Sequence, residues 1–403
     1  MGRKVSTVNE GLFGNAVDTG RSERQNKRET GGSGKDLHWD GKVTALEDSN
    51  YFFSYGYLIS QMDMLYDPVR MDAYRTAIDE NKDNFSGKVV LDVDCGTGVL
   101  SILAARAGAR KVYAVEATNA TKHARKLVGA HGLEDVVTVL ECCVEEADLP
   151  EKVDIIVSDF MGHFLLQESM IDNVILARDK FLKSTGAIYP SHCKMFLAAA
   201  SSSRHGESRV EAHHESLEEF DEVKDYMFNE CEIDLTCLSD MYKDEVRELA
   251  LHSSCSVHLE ANELLGPPVA VKEIDLLTAT HDDVKGVSQS FCIDLDPSMD
   301  KEKRRNFDLW VGWFAVQFNG SPDNPSLVQV ECDTGPYNDE AHWSHEGFIV
   351  HPPIDLTGAS KVQGQIEMTR KKANWRLYDV KISHRACSGE QSGEEVSKTY
   401  YLK

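Results

Sequence analysis

The sequence predicts an α/β domain of parallel strands followed by an antiparallel β-rich domain, an α/β + β chain. Three observations predict it. Short apolar runs alternate with helix-patterned segments over residues 88–160. A turn carrying Gly96 and Gly98 joins the first of those strands to the first helix. After Pro190 the pattern changes to β-rich runs such as DLWVGWFAVQF, KVQGQIEMTR and WRLYDVKIS, which read as an antiparallel sheet or barrel.

In chain order, residues 1–44 are poor in large apolar side chains and include the mixed-charge stretch RSERQNKRETGGSGK, so a flexible tail is expected. Residues 45–86 read as helical, because Met62, Leu65, Val69, Ala73 and Ile78 recur at helical spacing. Residues 87–188 form the α/β domain. KVVLDVDC, KVYAVEA, VVTVLEC and VDIIVSD are its strands, and VLSILAARAG and TKHARKLVGAHG its helices, with Gly108 and Gly132 at helix C-termini. Residues 189–403 form the β-rich domain. It is interrupted at about 201–250 by a charged, helix-compatible segment that reads as an excursion from the barrel.

The bulk composition narrows the function classes. A length of 403 residues suggests two or three domains, and 41% hydrophobic residues suffice for sizeable cores. No apolar run approaches the ~18 residues of a membrane-spanning helix. No apolar segment follows the first basic residues, so a secretory leader is not expected. Ten cysteines without CxxC spacing read as reduced thiols of the cytoplasm or nucleus. The adjacent Cys142 and Cys143 make a poor zinc pair, and no metal site is expected. A net charge of −24 argues against direct nucleic-acid or membrane binding and favours cationic partners such as basic protein tails; the same charge also serves solubility alone.

The strand–glycine turn–helix at VVLDVDCGTGVLSILAARAG, with Glu116 at the end of the next strand, fits a Rossmann-like nucleotide site. Gly96 and Gly98 let the backbone pass close to a ligand, and Glu116 can accept both ribose hydroxyls. The turn resembles the Asp-x-Gly-x-Gly-x-Gly loop of class I methyltransferases, read here as Asp92, Asp94, Gly96 and Gly98. Asp94 thus stands in place of the first glycine. In that family this glycine lies against the amino-acid part of S-adenosylmethionine, so Asp94 is expected to disrupt cofactor binding through its bulk and its charge.

Further motifs narrow the resemblance. YFxSY (Tyr51, Phe52, Ser54, Tyr55), MLYDPVRMDAY from Met64, SDFMGHFLLQESM after the fourth strand, and a late AHW occur in order over residues 45–400. Together they resemble a protein arginine methyltransferase, most similar to the type I class, which makes asymmetric dimethylarginine. The resemblance implies N-terminal helices, the Rossmann-like domain and a β-barrel with a helical dimerisation arm inserted within 201–250. It also implies roles. Asp159 and Glu168 match the two loop carboxylates that hold the substrate guanidinium, both Glu in the family. Arg70 matches the arginine that holds the cofactor carboxylate and braces the loop, and Met64 the residue beside the methyl. His342 and Asp67 match a pair proposed to assist proton removal. Glu145 matches the acid near the adenine.

The departures shape the functional expectation. Asp159 is one methylene shorter than Glu, which leaves its oxygens about 1.5 Å short on an unchanged backbone. Gln61 stands where type I enzymes usually carry His, Phe160 replaces a loop Trp, and Ala341 replaces the Thr of THW. These changes favour a catalytically impaired regulatory subunit, or prozyme, of the kinetoplastid kind. Such a chain binds S-adenosylmethionine weakly or not at all and completes a catalytic arginine methyltransferase paralogue as a hetero-oligomer. Two alternatives stand beside this: an active, divergent type I enzyme, and a methyltransferase-fold module that binds basic Arg/Gly-rich proteins without modifying them.

Overall fold

In the computed structural model, the structure describes residues 52–372, 374–389 and 391–402. The tail read over 1–44, and Tyr51 of the YFxSY motif, lie outside these residues.

After a helical turn at 52–55, the N-terminal helices are α1 (Leu58–Tyr66), α2 (Pro68–Asp79) and α3 (Lys82–Phe85). The periodicity spread over 62–78 is divided here. Pro68 lacks the N–H that would continue α1, and the Asp67 carboxylate accepts from the Arg70 amide to cap α2. The two halves of the apolar stripe therefore fare differently. Ala73 and Ile78 are buried, whereas Met62 is exposed.

The α/β domain contains β1 (Val89–Val93), α4 (Val99–Arg106), β2 (Lys111–Glu116), α5 (Thr121–Ala130), β3 (Val137–Glu141), β4 (Val153–Ser158), α6 (Ile171–Phe181) and β5 (Leu182–Tyr189). All five strands are parallel, in the order β3-β2-β1-β4-β5. β1 is buried along its whole length, which is why VVLDV reads as one apolar run broken only by Asp92. The chain winds from β1 towards β3, then crosses to β4 on the other side. The strand order therefore reverses between β1 and β4, where the crevice at the strand C-termini receives ligands in such sheets.

Beyond β5 the chain builds two antiparallel sheets. In the first, β7 (Cys255–Val257), β12 (His345–Ile354), β10 (Phe307–Gln317), β6 (His192–Ala200) and β8 (Val269–Asp275) lie side by side, with β11 (Glu331–Asp333) on β10. In the second, β15 (Gln391–Ser392), β14 (Tyr378–Ser388), β13 (Lys361–Arg370) and β9 (Gly286–Asp294) lie side by side, with β16 (Val396–Leu402) on β14. Phe307, Trp310, Phe314 and Phe348 fill the space between them. Between β6 and β7 the chain leaves the sheets as α7 (Ser203–Cys231), a 3-10 turn (Thr236–Leu238) and α8 (Ser239–Arg247). Phe220 stacks on Tyr242 at 4.2 Å and pins α8 to α7. Outward lie Val223, Tyr226, Phe228, Ile233, Leu238 and Met241, all exposed.

Candidate active site

A cavity of about 760 Å³ opens at the C-terminal ends of β1, β2 and β4. That volume is ordinary for a small-molecule site, roughly 300–1,000 Å³. Its wall includes Met64, Asp67, Arg70, Asp94, Gly96, Glu116, Asp159, Glu168 and His342. Asp92, Gly98 and Glu145 are placed elsewhere. Asp92 is fully buried beneath the loop, where its Oδ2 accepts from Ser101 Oγ at 2.6 Å and ties α4 to β1. Burial pushes its carboxyl up to about 7. Gly98 caps α4 at φ 80°, a left-handed conformation open to glycine, and a Cβ there would meet Ala124 at 3.2 Å. Glu145 is exposed and is not part of the cavity wall, although its charge acts on Asp94.

The loop itself is held by backbone bonds to Glu116. Its Oε2 accepts from the Gly96 amide at 2.9 Å and its Oε1 from the Thr118 amide at 2.7 Å. Each oxygen keeps a further lone pair, so the fixed carboxylate can still accept two vicinal hydroxyls. Gln61, at the position usually histidine, is buried. Its Nε2 donates to the Tyr55 carbonyl at 2.9 Å, and its Oε1 would lie 2.6 Å from a Cβ on Gly96. A Cβ there would push the end of the Gln61 side chain aside, and the φ of 52° at Gly96 separately favours glycine.

Asp94 adopts φ 58°, the left-handed region that a glycine would enter freely and that Asp tolerates better than most residues. Its Oδ2 accepts from Asn173 Nδ2, on α6, at 2.9 Å. Burial, then the nearby charge of Glu116, pushes its carboxyl up to about 7. The partner that the sequence reading did not provide for this side chain comes from α6, and it is an amide.

Asp159 follows β4 and meets Arg70, on α2, at 2.6 Å from Nε to Oδ2. Both side chains are buried. Arg70 also donates to the Met64 carbonyl at 2.9 Å, which fixes the end of α1. The shorter side chain therefore still reaches its arginine. The other oxygen, Oδ1, is buried and has no hydrogen-bond partner, although the residue itself forms part of the cavity wall.

Glu168 is presented by a strained loop. Phe164, Leu165, Glu168 and Ser169 all have φ between 46° and 68°, and none is glycine. Such a run marks a loop whose shape is imposed by its surroundings. Tyr55 Oη donates to Glu168 Oε1 at 2.8 Å, and burial followed by the charge of Glu168 raises the phenol well above its ordinary range. At the mouth, His342 Nδ1 lies 2.6 Å from Asp67 Oδ2, which also accepts from the His342 amide at 2.9 Å. Burial alone would raise the Asp67 carboxyl; the bonds from the His342 ring, the Arg70 amide and the His342 amide outweigh it and hold the group below the usual range. His342 packs on Trp343, whose indole donates to the Met161 carbonyl and anchors the pair to the loop.

Sequence reasoning missed Asn173 and Arg376 and gave Tyr55 no role. Tyr55 stands in a quoted motif, and that was its only signal. Asn173 and Arg376 lie 79 and 208 residues from their partners Asp94 and Glu168, and no local pattern marks either.

With this geometry in hand, likeness to known proteins is informative. The family description "Arginine methyltransferase oligomerization subdomain" matches residues 210–389, and "Ribosomal protein L11 methyltransferase (PrmA)" matches 76–189. Protein arginine N-methyltransferase PRMT10 of Oryza sativa subsp. japonica is 39% identical over 358 residues, 88% of this chain and 93% of that protein. PRMT10 of Arabidopsis thaliana is 38% identical over 384 residues, 93% of this chain and 96% of that protein. The crystal structure of the Arabidopsis protein superposes with a TM-score of 0.82 at 37% identity, covering 87% of this chain and 99% of that one. A Trypanosoma brucei PRMT1 enzyme–prozyme heterotetrameric complex matches with a TM-score of 0.71 at 27% identity, covering 87% of this chain and all of that one. Fold and site thus define a methyltransferase of the S-adenosylmethionine-dependent kind, with a β-barrel-like C-terminal domain. The chain belongs to the protein arginine N-methyltransferase family.

Proposed function

We propose that this chain is itself a protein arginine N-methyltransferase, forming asymmetric dimethylarginine on basic, Arg/Gly-rich proteins. One observation carries the reading: Asp159 keeps its brace to Arg70 at 2.6 Å and shares the cavity wall with Glu168, the second carboxylate. The expectation of an impaired subunit rested chiefly on Asp94 and Asp159, beside Gln61, Phe160 and Ala341; those two each have a structural accommodation. The relatives reported above carry the name of arginine N-methyltransferases, which supports the same reading.

The residues fit the cofactor. Glu116 has lone pairs for ribose hydroxyls, the Gly96 backbone leaves no Cβ in the way, and Arg70 stands where a carboxylate would be received. S-adenosylmethionine, when bound, supplies a methyl group activated on a sulfonium. The chain's own work is on the arginine side. Arginine stays protonated at ordinary pH, so its nitrogen must be aimed while its positive charge is held. The Asp159 and Glu168 carboxylates, both on the cavity wall, receive the planar cation through charge-assisted hydrogen bonds. To the Asp67–His342 pair, which shares the cavity wall, this reading gives the uptake of the proton that the methylated nitrogen releases.

A second reading retains the regulatory role, favoured by the likeness to the Trypanosoma brucei enzyme–prozyme complex. In both readings the helical excursion α7–α8 serves as a dimerisation arm, supported by its exposed apolar side chains and by the oligomerisation-subdomain match. Calorimetric titration of S-adenosylmethionine into the isolated chain, followed by mass spectrometry of an Arg/Gly-rich peptide, separates the readings. Binding with methylated arginine supports the enzyme. No binding and no transfer, with activity appearing only on adding a catalytic paralogue, overturns it in favour of the subunit.

A further inference from the structure

The second carboxylate of the site is held from the far domain. The turn between β13 and β14 reaches the Glu168 loop with Trp375 and Arg376. Glu168 has φ 68° and ψ −17°. Its amide donates to the Arg376 carbonyl at 2.8 Å, and Arg376 Nη1 donates back to the Glu168 carbonyl at 3.0 Å. The next residue repeats the attachment, because Ser169 Oγ donates to the Trp375 carbonyl at 2.8 Å and lies 3.0 Å from Tyr378 Oη. The Arg376 guanidinium also lies over two aromatic rings. It lies 4.7 Å from the Trp375 ring and 5.5 Å from the ring of Phe52, one turn before the Tyr55 that bonds the Glu168 carboxylate. Arg376 is buried and is not part of the cavity wall.

We propose that Arg376 is a positioning residue that clasps Glu168 in its left-handed backbone conformation, so that the barrel sets the aim of a carboxylate in the Rossmann-like domain. A left-handed glutamate persists only where its surroundings over-determine it. The clasp supplies this from both sides of the residue, and the adjoining Ser169–Trp375 bond prevents the loop from rotating about it. Arg is required because its planar fork can stack on two rings while donating in the plane; a lysine ammonium keeps the charge but not that geometry. The proposal rests on Glu168 being a catalytic carboxylate, yet the clasp is measurable without turnover.

The test uses the full chain and two variants, R376A and R376K. In R376A, hydrogen exchange of the amides over residues 164–170 accelerates while that of β1 does not change. S-adenosylmethionine affinity stays at the wild-type value, and kcat for peptide methylation falls about 10²-fold, the scale set by a misplacement near 1 Å. R376K falls between the two, and it carries the test if R376A does not fold. Unchanged loop exchange overturns the proposal, as does wild-type kcat in a folded variant. A drop in cofactor affinity equal to the drop in rate overturns it too, because it would mark general damage. If the wild-type chain transfers no methyl group, the catalytic reading fails while loop exchange still decides the clasp.

Discussion

Replacing Asp94 with Asn tests how the loop carries a carboxylate where a glycine is usual. Asn has the same shape, tolerates φ 58°, and can still accept from Asn173. What it removes is the charge. The carboxyl is held up to about 7 in the fold, against an ordinary value of 3.8 in the unfolded chain. At about 1.36 kcal/mol per pH unit this costs the folded state at most about 4 kcal/mol once both forms are ionised. Asp94 is partly open to the cavity, so solvent screening brings the expected figure to about 2 kcal/mol. Below pH 3.8 both states are protonated and the cost is zero. It grows as pH rises, because the unfolded carboxyl ionises first, and it is constant above 7. D94N is therefore more stable than wild type by about 2 kcal/mol at pH 8.5, and by about half that at pH 5.5. Thermal melts at the two pH values read this as a difference of about 4 °C shrinking to about 2 °C. A gap of equal size at both pH values, or none at pH 8.5, would refute the account of Asp94.

Three further outcomes follow from the same structure. Arg70→Ala leaves the buried Asp159 unpaired and destabilises the fold by about 3–5 kcal/mol, measured by urea denaturation. Arg70→Lys keeps the charge but loses the two-nitrogen fork to Asp159 and the Met64 carbonyl, so turnover drops more than the melting temperature does. His384 is buried in the barrel against Phe307 and Trp310, with neither ring nitrogen bonded, and burial pushes it down to about 4. An unfolded histidine takes a proton below about 6.5, so this site loses stability as pH falls from 6.5 towards 4. His384→Phe removes that acid sensitivity and raises stability by about 1–3 kcal/mol, the penalty of an unsatisfied buried polar group; a denaturation midpoint with unchanged pH dependence would contradict it.

What the sequence could and could not reveal divides along chain separation. β1 to β4 and their helices were legible because each element repeats its own period and ends on its own glycine or turn. β5 and α6 were not separately visible, since LKSTGAIY carries polar residues at its solvent-facing start. The break at Asp67–Pro68 was written in the sequence but was masked by a stripe that runs across it. The site was legible where a motif brings its residues together, as with Gly96 and Glu116, or Arg70 and Asp67. It was illegible where a partner comes from far along the chain. Asn173 relieves Asp94, and Arg376 clasps Glu168; neither is implied by anything near its partner. On the proposed enzyme reading, weighing Asp94 and Asp159 by their chemistry alone overstates the damage. A shorter carboxylate reaches its arginine when the backbone carries it there, and a carboxylate replacing glycine is tolerated when a neighbouring helix offers an amide.

The most direct measurement compares methyl transfer by the isolated chain with that of D94G/D159E, which restores the family pattern at both positions. The account predicts a wild-type chain that methylates an Arg/Gly-rich peptide unaided, with the double variant within about tenfold of it, a difference of about 1.4 kcal/mol in transition-state stabilisation. A silent wild type beside an active double variant would show that those two residues disable the site.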